Sequence, residues 1–249
     1  MKFNYSLIIL VFFIVFSCKK DSSFIISSET ISESYNENCE GDDCATVTID
    51  YVKVTGDEAV SEKINSKIEA YIIHSLSFNN EDKLVAKTID DAVILFLQNY
   101  EADKKAFPDL IGGYFAEISV DERFASSKFL CFEMNQFMFT GGAHGYSSNY
   151  FLNVDSQTGE TILIEDLIKP GFIKYAETKF KEEMEIPLNE PINSTGFWFE
   201  NDTFYLPETI GITKNEVILH YNQYEIASYA AGPITISIPL KDCEDLLNL

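Results

Sequence analysis

Basic residues are scarce in this chain. Its 249 residues contain 18 Lys and Arg against 40 Asp and Glu, a formal net charge of −22 at pH 7. A surface this acidic is repelled by phosphate backbones, so the composition excludes DNA and RNA as partners. It favours cationic partners, and basic proteins and divalent cations are both open. The alternative is that the acidity only keeps an exposed protein in solution.

The chain also lacks the common motifs of catalysis and metal binding. Its glycine-rich segment has no Gly-Lys-Ser/Thr of a P-loop, and no Gly-X-Ser-X-Gly elbow occurs. Acidic pairs such as Asp42-Asp43 do not have the spacing of a calcium-binding loop. The three histidines and the cysteine spacing do not fit a zinc finger. We therefore expect no metal and no cofactor.

A long hydrophobic run occurs only once, at residues 7–16, after the basic residue Lys2. Ten residues rise only about 15 Å as a helix, half of the roughly 30 Å hydrocarbon core of a bilayer. Residues 1–17 are therefore expected to be a signal peptide and not a membrane span. No later segment is apolar enough to cross a membrane.

Ser17 and Cys18 follow this run directly and resemble a bacterial lipobox, in which the cysteine becomes the lipidated new N-terminus. The alternative is ordinary cleavage of the signal peptide, in which Cys18 is not lipidated. We expect a lipid-anchored protein of the bacterial cell envelope that faces the periplasm or the cell exterior. Residues 18–44, rich in Ser, Glu and Asn, are expected to be a flexible acidic tether.

Four cysteines remain once Cys18 is set aside, and an even number in an exported protein favours disulfides. Cys39 and Cys44 are close enough in sequence to close a small loop. Cys131 and Cys243 would then form the complementary long closure.

The hydrophobic pattern of residues 45–249 predicts an α+β fold. Apolar residues alternate over 45–54 and recur at helical spacing over 57–76 and 84–100. From Gly112 the period changes to two in three runs separated by turns, which predicts an antiparallel β meander packed against helices. The later predicted elements are a helix at 172–185, short strands at 161–163, 203–206, 216–219 and 234–238, and a closing helix at 240–247.

The first candidate site is the segment Phe-Thr-Gly-Gly-Ala-His-Gly at residues 139–145, with Gly141, Gly142, His144 and Gly145. Glycines permit a positive φ and close backbone approach, which suits either a tight sheet corner or a backbone-lined recognition site. For His144 three interpretations are open: a structural residue bonded to the turn, a ligand contact, or a catalytic base.

The second candidate site is a tyrosine-rich loop with Tyr221, Tyr224, Glu225 and Tyr229. Such residues stack on sugar rings or anchor a partner protein. The alternative is that this loop is a corner of the hydrophobic core, with the tyrosine hydroxyls hydrogen-bonded to the backbone. Two interpretations are also open for Trp198, the single tryptophan. It either belongs to a small hydrophobic cluster beside the main core or presents a flat ring on which a sugar stacks.

The motifs of the C-terminal half resemble the RsiV-like domain, found at the C-terminus of a lysozyme-sensing anti-sigma factor and in an envelope polysaccharide deacetylase. The matching motifs are Thr-Gly-Gly-Ala-His-Gly at 140–145, Tyr-Phe-Leu-Asn-Val-Asp at 150–155, Glu-Asp-Leu at 165–167, Phe-Tyr-Leu at 204–206, and residues 221–232. Residues 45–76 resemble the companion N-terminal module of those proteins. The resemblance implies two intimately associated modules, at 45–110 and 111–249.

The resemblance also implies binding and not catalysis. In the anti-sigma factor this domain binds lysozyme, and in the deacetylase a separate domain carries the chemistry. We therefore expect a non-catalytic module whose partner is a cationic protein such as a lysozyme, or a cell-wall glycan. The alternative is a peptidoglycan- or glycan-binding accessory protein, or a hydrolytic enzyme that uses His144.

Overall fold

The computed structural model of the chain describes residues 24–35, 44–77, 86–109 and 112–249. Its main sheet has five strands in sequential order: β1 (Ile25–Ser34), β2 (Thr46–Thr55), β3 (Phe115–Ala125), β4 (Phe129–Phe139) and β5 (Tyr146–Asp155). β2 and β3 run parallel, and the other neighbours are antiparallel. The predicted α+β class and the meander of β3, β4 and β5 are confirmed.

Two helices cover one face of this sheet, α1 (Glu58–Leu76) and α2 (Ile89–Ala106). They form the long crossover that two parallel strands require. Each begins at a capping side chain: Asp57 accepts the Val60 N–H at 3.3 Å, and Thr88 accepts the Asp91 N–H at 3.1 Å. The apolar faces of both helices and of the sheet form one core. The two modules predicted to meet between residues 110 and 111 therefore share a single sheet.

A second layer covers part of the opposite face of the sheet. It contains the antiparallel strands β6 (Ile210–Ile212), β7 (Glu216–Tyr221) and β8 (Ile234–Pro239), with the helices α3 (Ile164–Leu167) and α4 (Phe172–Glu183). Its core is rich in aromatic rings. Asn153 on β5 ties the layers together, because its Nδ2 donates to the Ile210 carbonyl at 2.8 Å.

The prediction of a flexible tether over residues 18–44 is wrong for β1. This strand pairs with β2 along its whole length, and Phe24, Ile26 and Ile31 pack against the core beneath the helices. Cys18 and the predicted signal peptide lie outside the described residues, so both stay predictions. Within the described ranges, no helix is long and apolar enough to cross a membrane.

The other incorrect predictions concern short apolar runs. Residues 203–206 are not part of a strand, and the predicted strand at 161–163 contributes only the single bridge of Thr161 to Val154. The predicted closing helix consists of two short 3₁₀ turns, Leu240–Asp242 and Glu244–Leu246. The strands at 216–219 and 234–238 are confirmed as β7 and β8.

The predicted disulfide between Cys131 and Cys243 is wrong, because both thiols are free and buried. Cys131 Sγ accepts the Ile212 N–H at 3.4 Å, whereas Cys243 Sγ donates to the Pro239 carbonyl at 3.7 Å. Cys44 is disulfide-bonded. Its predicted partner Cys39 lies outside the described residues, so that pairing stays a prediction.

We predict that Cys131 and Cys243 resist alkylation in the native protein and react on unfolding without reductant. Burial raises the pKa of the Cys131 thiol to about 12 and also raises that of Cys243, so the reactive thiolate is scarce in the folded state. Peptide mapping by mass spectrometry after alkylation, with and without urea, checks this. Cys44 is the internal control, since it should react only after reduction. A peptide in which Cys131 is linked to Cys243 would contradict the prediction.

Candidate functional site

The two predicted sites meet in space. The His144 ring stacks on the Tyr229 ring with centroids 4.2 Å apart and an interplanar angle of 26°, and Tyr224 lies 5.5 Å from Tyr229. We call His144, Tyr224 and Tyr229 the aromatic rim. His144 belongs to the loop between β4 and β5, and the two tyrosines belong to the segment between β7 and β8. The rim therefore joins the main sheet to the second layer.

The glycines of the β4–β5 loop serve different purposes. Gly141 and Gly142 have φ of 90° and 100°, a region that side chains disfavour. At Gly145 the constraint is space, because a Cβ there would lie 2.4 Å from Cζ of Phe137. His144 is exposed, and its Nδ1 lies 3.0 Å from the Gly145 carbonyl, so this nitrogen donates to the turn backbone. Of the interpretations left open for His144, the backbone bond supports the structural one and the exposed stack supports a ligand contact.

The tyrosine-rich loop divides into a buried part and an exposed part. Tyr221 is fully buried and donates to the Tyr205 carbonyl at 2.7 Å, and burial raises its pKa. It is a core residue and not a contact residue. Tyr224 has φ of 68° and a side chain 54 % exposed. The rare backbone conformation turns this ring outward beside Tyr229.

Glu225 holds the loop in shape. Its Oε2 accepts the Asn222 N–H at 2.8 Å, and its carbonyl accepts from Trp198 Nε1 and the Tyr205 hydroxyl, both at 3.2 Å. Burial raises the pKa of this carboxyl, the bond from Asn222 opposes the rise, and nearby Glu208 adds to it. Trp198 is thus tethered to the loop, although its ring is 46 % exposed.

A groove of about 540 Å³ begins beside the rim, on the part of the main sheet that the second layer leaves open. Its floor includes two cross-strand rows, which are Asp50, Ser119, Asn135 and Asn149, and Thr48, Glu117, Phe137 and Ser147. His220, Asn222 and Pro233 of the second layer form the opposite wall. We call this space the polar groove.

Hydrogen bonds run along the first row and into the second layer. Asn135 Nδ2 donates to Ser119 Oγ at 3.4 Å, and Asn149 Nδ2 donates to Asn135 Oδ1 at 2.6 Å. The backbone of Asn149 then makes a two-way clamp with the Asn222 side chain, at 2.7 and 3.1 Å. In the adjacent row, Ser147 donates to Gln223 at 3.3 Å. Hydrogen bonds therefore connect the groove floor to the segment between β7 and β8 that carries Tyr224 and Tyr229.

The groove is acidic. Among the described residues that line it, Asp50 and Glu117 carry negative charge, and none is Lys or Arg. Glu133, on the same face of β4, is already paired with Arg123 at 3.3 Å. The His220 ring bonds Thr235 at 2.8 Å; burial lowers the pKa of this imidazole, and Glu133 partly opposes that effect.

Within the described part of the chain, no group of His, Cys, Asp and Glu could hold a metal ion. The contacts of His144 within the described ranges are the Tyr229 ring and the Gly145 carbonyl, and neither is a nucleophile or an orienting carboxylate. The arrangement presents hydrogen-bonding groups and aromatic faces at a surface, which is what a binding site needs.

Sequence reasoning missed the groove asparagines Asn135, Asn149 and Asn222. A usable signal was present, because Glu133 and Asn135 follow Phe129 and Cys131 at alternate positions of β4, and Ser147 and Asn149 are polar at the corresponding positions of β5. That change marks the point at which one face of a strand stops being covered.

We predict that Gly145→Ala lowers the free energy of unfolding by about 1–3 kcal/mol, as expected when an added methyl group forces a packed ring to move. The Phe137 ring is the group that must shift. Urea unfolding measures the change, with Ala143→Ser, at an exposed position of the same loop, as the control. Equal stability of the two variants would contradict the assigned packing.

We predict that Glu225→Gln stabilises the protein more at pH 7 than at pH 4. The pKa of Glu225 is raised above its ordinary value of 4.5, so the folded state holds the proton to a higher pH than the unfolded chain. Stability from the neutral carboxyl is therefore present below 4.5 and lost as the pH rises through the folded pKa. Glutamine stays neutral throughout. Urea unfolding at both pH values tests this, with Glu183→Gln on the exposed side of α4 as control. A larger benefit at pH 4 would contradict it.

Comparison with known proteins identifies two regions in the chain. Residues 38–147 match the family described as deacetylase PdaC, and residues 165–241 match the DUF3298 family, described as a protein of unknown function. The first match crosses the predicted module boundary at 110/111 and ends just after the β4–β5 loop. His144 thus belongs to the first region and Tyr229 to the second. No curated protein matches the chain by sequence.

Two crystal structures of DUF3298 family proteins have similar folds. The protein from Bacteroides fragilis has a TM-score of 0.71 and 18% identity, and the alignment covers 93% of this chain and 96% of that one. The protein from Pseudomonas aeruginosa has a TM-score of 0.66 and 17% identity, with 92% and 96% covered. At these identities the likeness establishes the fold alone. The chain therefore contains a PdaC deacetylase-like domain and a domain similar to DUF3298, in a fold similar to that of DUF3298 proteins.

Proposed function

We propose that this chain is a non-catalytic binding module of the bacterial cell envelope, and that its partner is a cationic protein such as a lysozyme-like hydrolase. The observation that carries the proposal is the aromatic rim, where His144 stacks on Tyr229 and Tyr224 projects into solvent. Exposed aromatic residues held by a rigid frame are typical anchors of protein interfaces. The clamp between Asn149 and Asn222 supplies that frame.

The charge of the chain supports a cationic partner. A net charge of −22 attracts a basic protein over several ångströms and raises the rate of encounter, while the contacts at the rim determine how long the complex lasts. Attraction by charge alone weakens as salt screens it, with a Debye length of about 8 Å at physiological ionic strength.

The PdaC and DUF3298 matches support an accessory module at the envelope. The finer assignment to the RsiV-like domain, with lysozyme as the ligand, is part of this proposal. So are the signal peptide over residues 1–17 and the lipid on Cys18, which would hold the protein at the membrane surface.

We predict that the full-length chain binds a cationic lysozyme saturably at physiological salt, and that His144→Ala with Tyr224→Ala weakens binding at least tenfold. Loss of two anchor rings from one contact commonly has an effect of this size. Titration calorimetry at low and physiological salt measures it. The matched control is Phe107→Ala, which removes a 63 % exposed ring at the end of α2, a helix on the other face of the main sheet.

Three results would count against the proposal. Binding that disappears at physiological salt would be charge attraction only. Equal weakening by Phe107→Ala would remove the rim from the interface. Hydrolysis of peptidoglycan by the wild type that His144→Ala abolishes, with folding intact, would favour the alternative of an enzyme.

A further inference from the structure

The floor of the polar groove is the interior of a sheet and offers a ligand side chains only. β3 and β4 are paired with strands on both sides. A peptide that adds a strand to a sheet needs an open edge, so it has no place on this floor. The floor presents the hydroxyls of Thr48, Ser119 and Ser147 and the amide of Asn135. Ser119 Oγ accepts from Asn135 Nδ2 at 3.4 Å, which leaves its own O–H to donate.

Three phenylalanine rings extend the floor towards the β4–β5 loop. The centroid of the Phe115 ring lies 5.2 Å from that of Phe137 and 5.7 Å from that of Phe139, each at an interplanar angle of 31°. All three side chains are half-buried and lie on the groove face of β3 and β4. A sugar has hydroxyls on the edge of its ring and C–H groups on its faces, so it stacks on an aromatic ring while it bonds polar groups beside it. Hydroxyls and an amide next to aromatic rings therefore match a sugar.

The charge of the groove decides which sugars match it. Asp50 and Glu117 are exposed on the floor, and no Lys or Arg is among the described residues that line it. Neither carboxylate takes part in an ion pair within the described ranges. Asp50 Oδ1 accepts the Thr30 hydroxyl at 2.6 Å, which fixes the direction of that carboxylate. Glycans that carry carboxylate, sulfate or phosphate are repelled, whereas a protonated amino group gains charge-assisted hydrogen bonds.

We propose that the polar groove binds a short stretch of glycan whose sugars carry free amino groups. Asp50 on β2 and Ser147 on β5 are separated by three strand spacings, which amount to about 14 Å. A chain of several sugars reaches across this distance, so an ammonium group meets Asp50 and Glu117 while another sugar lies on Phe137. No single group of the ligand has to contact both ends. The groove volume of about 540 Å³ is within the range of about 300–1,000 Å³ that small-molecule sites occupy.

The inference goes beyond the proposed function and does not rest on it. The protein partner is assigned to the aromatic rim, and the glycan to the floor beside it, with His220 and Pro233 on the facing wall. Either site can therefore be occupied, and tested, without the other.

The test is titration calorimetry of the full-length chain at physiological salt with a tetramer of β-1,4-linked glucosamine. Two further ligands separate the contributions. Cellotetraose has the same ring and linkage with hydroxyls in place of the amino groups, and tetra-lysine has four ammonium groups and no sugar.

Two groove variants separate charge from stacking. Asp50→Asn with Glu117→Gln removes the charge, and its matched control is Glu62→Gln with Glu183→Gln, which removes the same charge at exposed positions outside the groove. Phe137→Leu keeps an apolar side chain and removes the ring. Its control is Phe107→Leu, at a 63 % exposed ring at the end of α2. Thermal melting confirms that all four variants fold.

We expect the glucosamine tetramer to bind the wild type and both controls within twofold of one another. The charge variant should bind it at least tenfold more weakly and Phe137→Leu at least fivefold more weakly. Cellotetraose and tetra-lysine should each bind the wild type at least tenfold more weakly than the glucosamine tetramer. Equal binding of tetra-lysine would show charge attraction only, equal binding of cellotetraose would remove the need for amino groups, and equal weakening in a variant and its control would place the ligand elsewhere. Each of these results would overturn the inference.

The failures of the two proposals are distinguishable. If a cationic lysozyme depends on the rim and the glucosamine tetramer does not bind, the groove inference fails and the proposed function stands. If the tetramer binds the groove and no lysozyme binds, the proposed function fails in its choice of partner and the groove inference stands.

Discussion

The structure depends on strand β4, because the side chains on its two faces pack into two different hydrophobic cores. Leu130, Phe132 and Met134 point to the helical layer, while Phe129 and Cys131 point to the second layer. Because successive side chains of a strand face opposite sides, both layers are fixed to the same backbone. Further along β4, Glu133 and Asn135 replace apolar residues on the second face. The second layer ends there, and the polar groove opens.

The proposed binding surface exists because the second layer covers only part of one face of the main sheet. A sheet face that is half covered has an edge where another layer stops, and here that edge is formed by His220, Asn222 and Pro233. The Asn149–Asn222 clamp holds the edge at a fixed distance from the sheet. The aromatic rim stands at the end of the same edge, so an interface that uses the rim also lies next to the acidic floor.

The sequence predicted those parts of the fold that long periodic segments specify. The helices α1 and α2 and the meander have strong patterns and capping residues such as Asp57, and the structure has them in place. β1 was missed because Ser and Glu dominate its composition, and its stability comes from pairing with β2, which a local pattern does not reveal. The Cys131–Cys243 pairing was wrong because an even number of cysteines carries no information on distance.

The candidate site could be predicted only in part. The glycine-rich loop and the tyrosine-rich loop were both identified, but their contact depends on the packing of the second layer on the main sheet. Tyr221 and Glu225 were grouped with the exposed tyrosines, whereas one fills the core and the other holds the loop. The groove depends on cross-strand register, which brings Asp50 beside Ser119 from distant parts of the chain.

The central claim is that the aromatic rim is the interaction surface for a cationic protein. Hydrogen–deuterium exchange of the full-length chain, with and without a saturating cationic lysozyme at physiological salt, tests it most directly. The account predicts added protection in two segments together, 140–149 and 220–231, with little change in α1 and α2. Protection confined to the helical layer, or in neither segment, would contradict it.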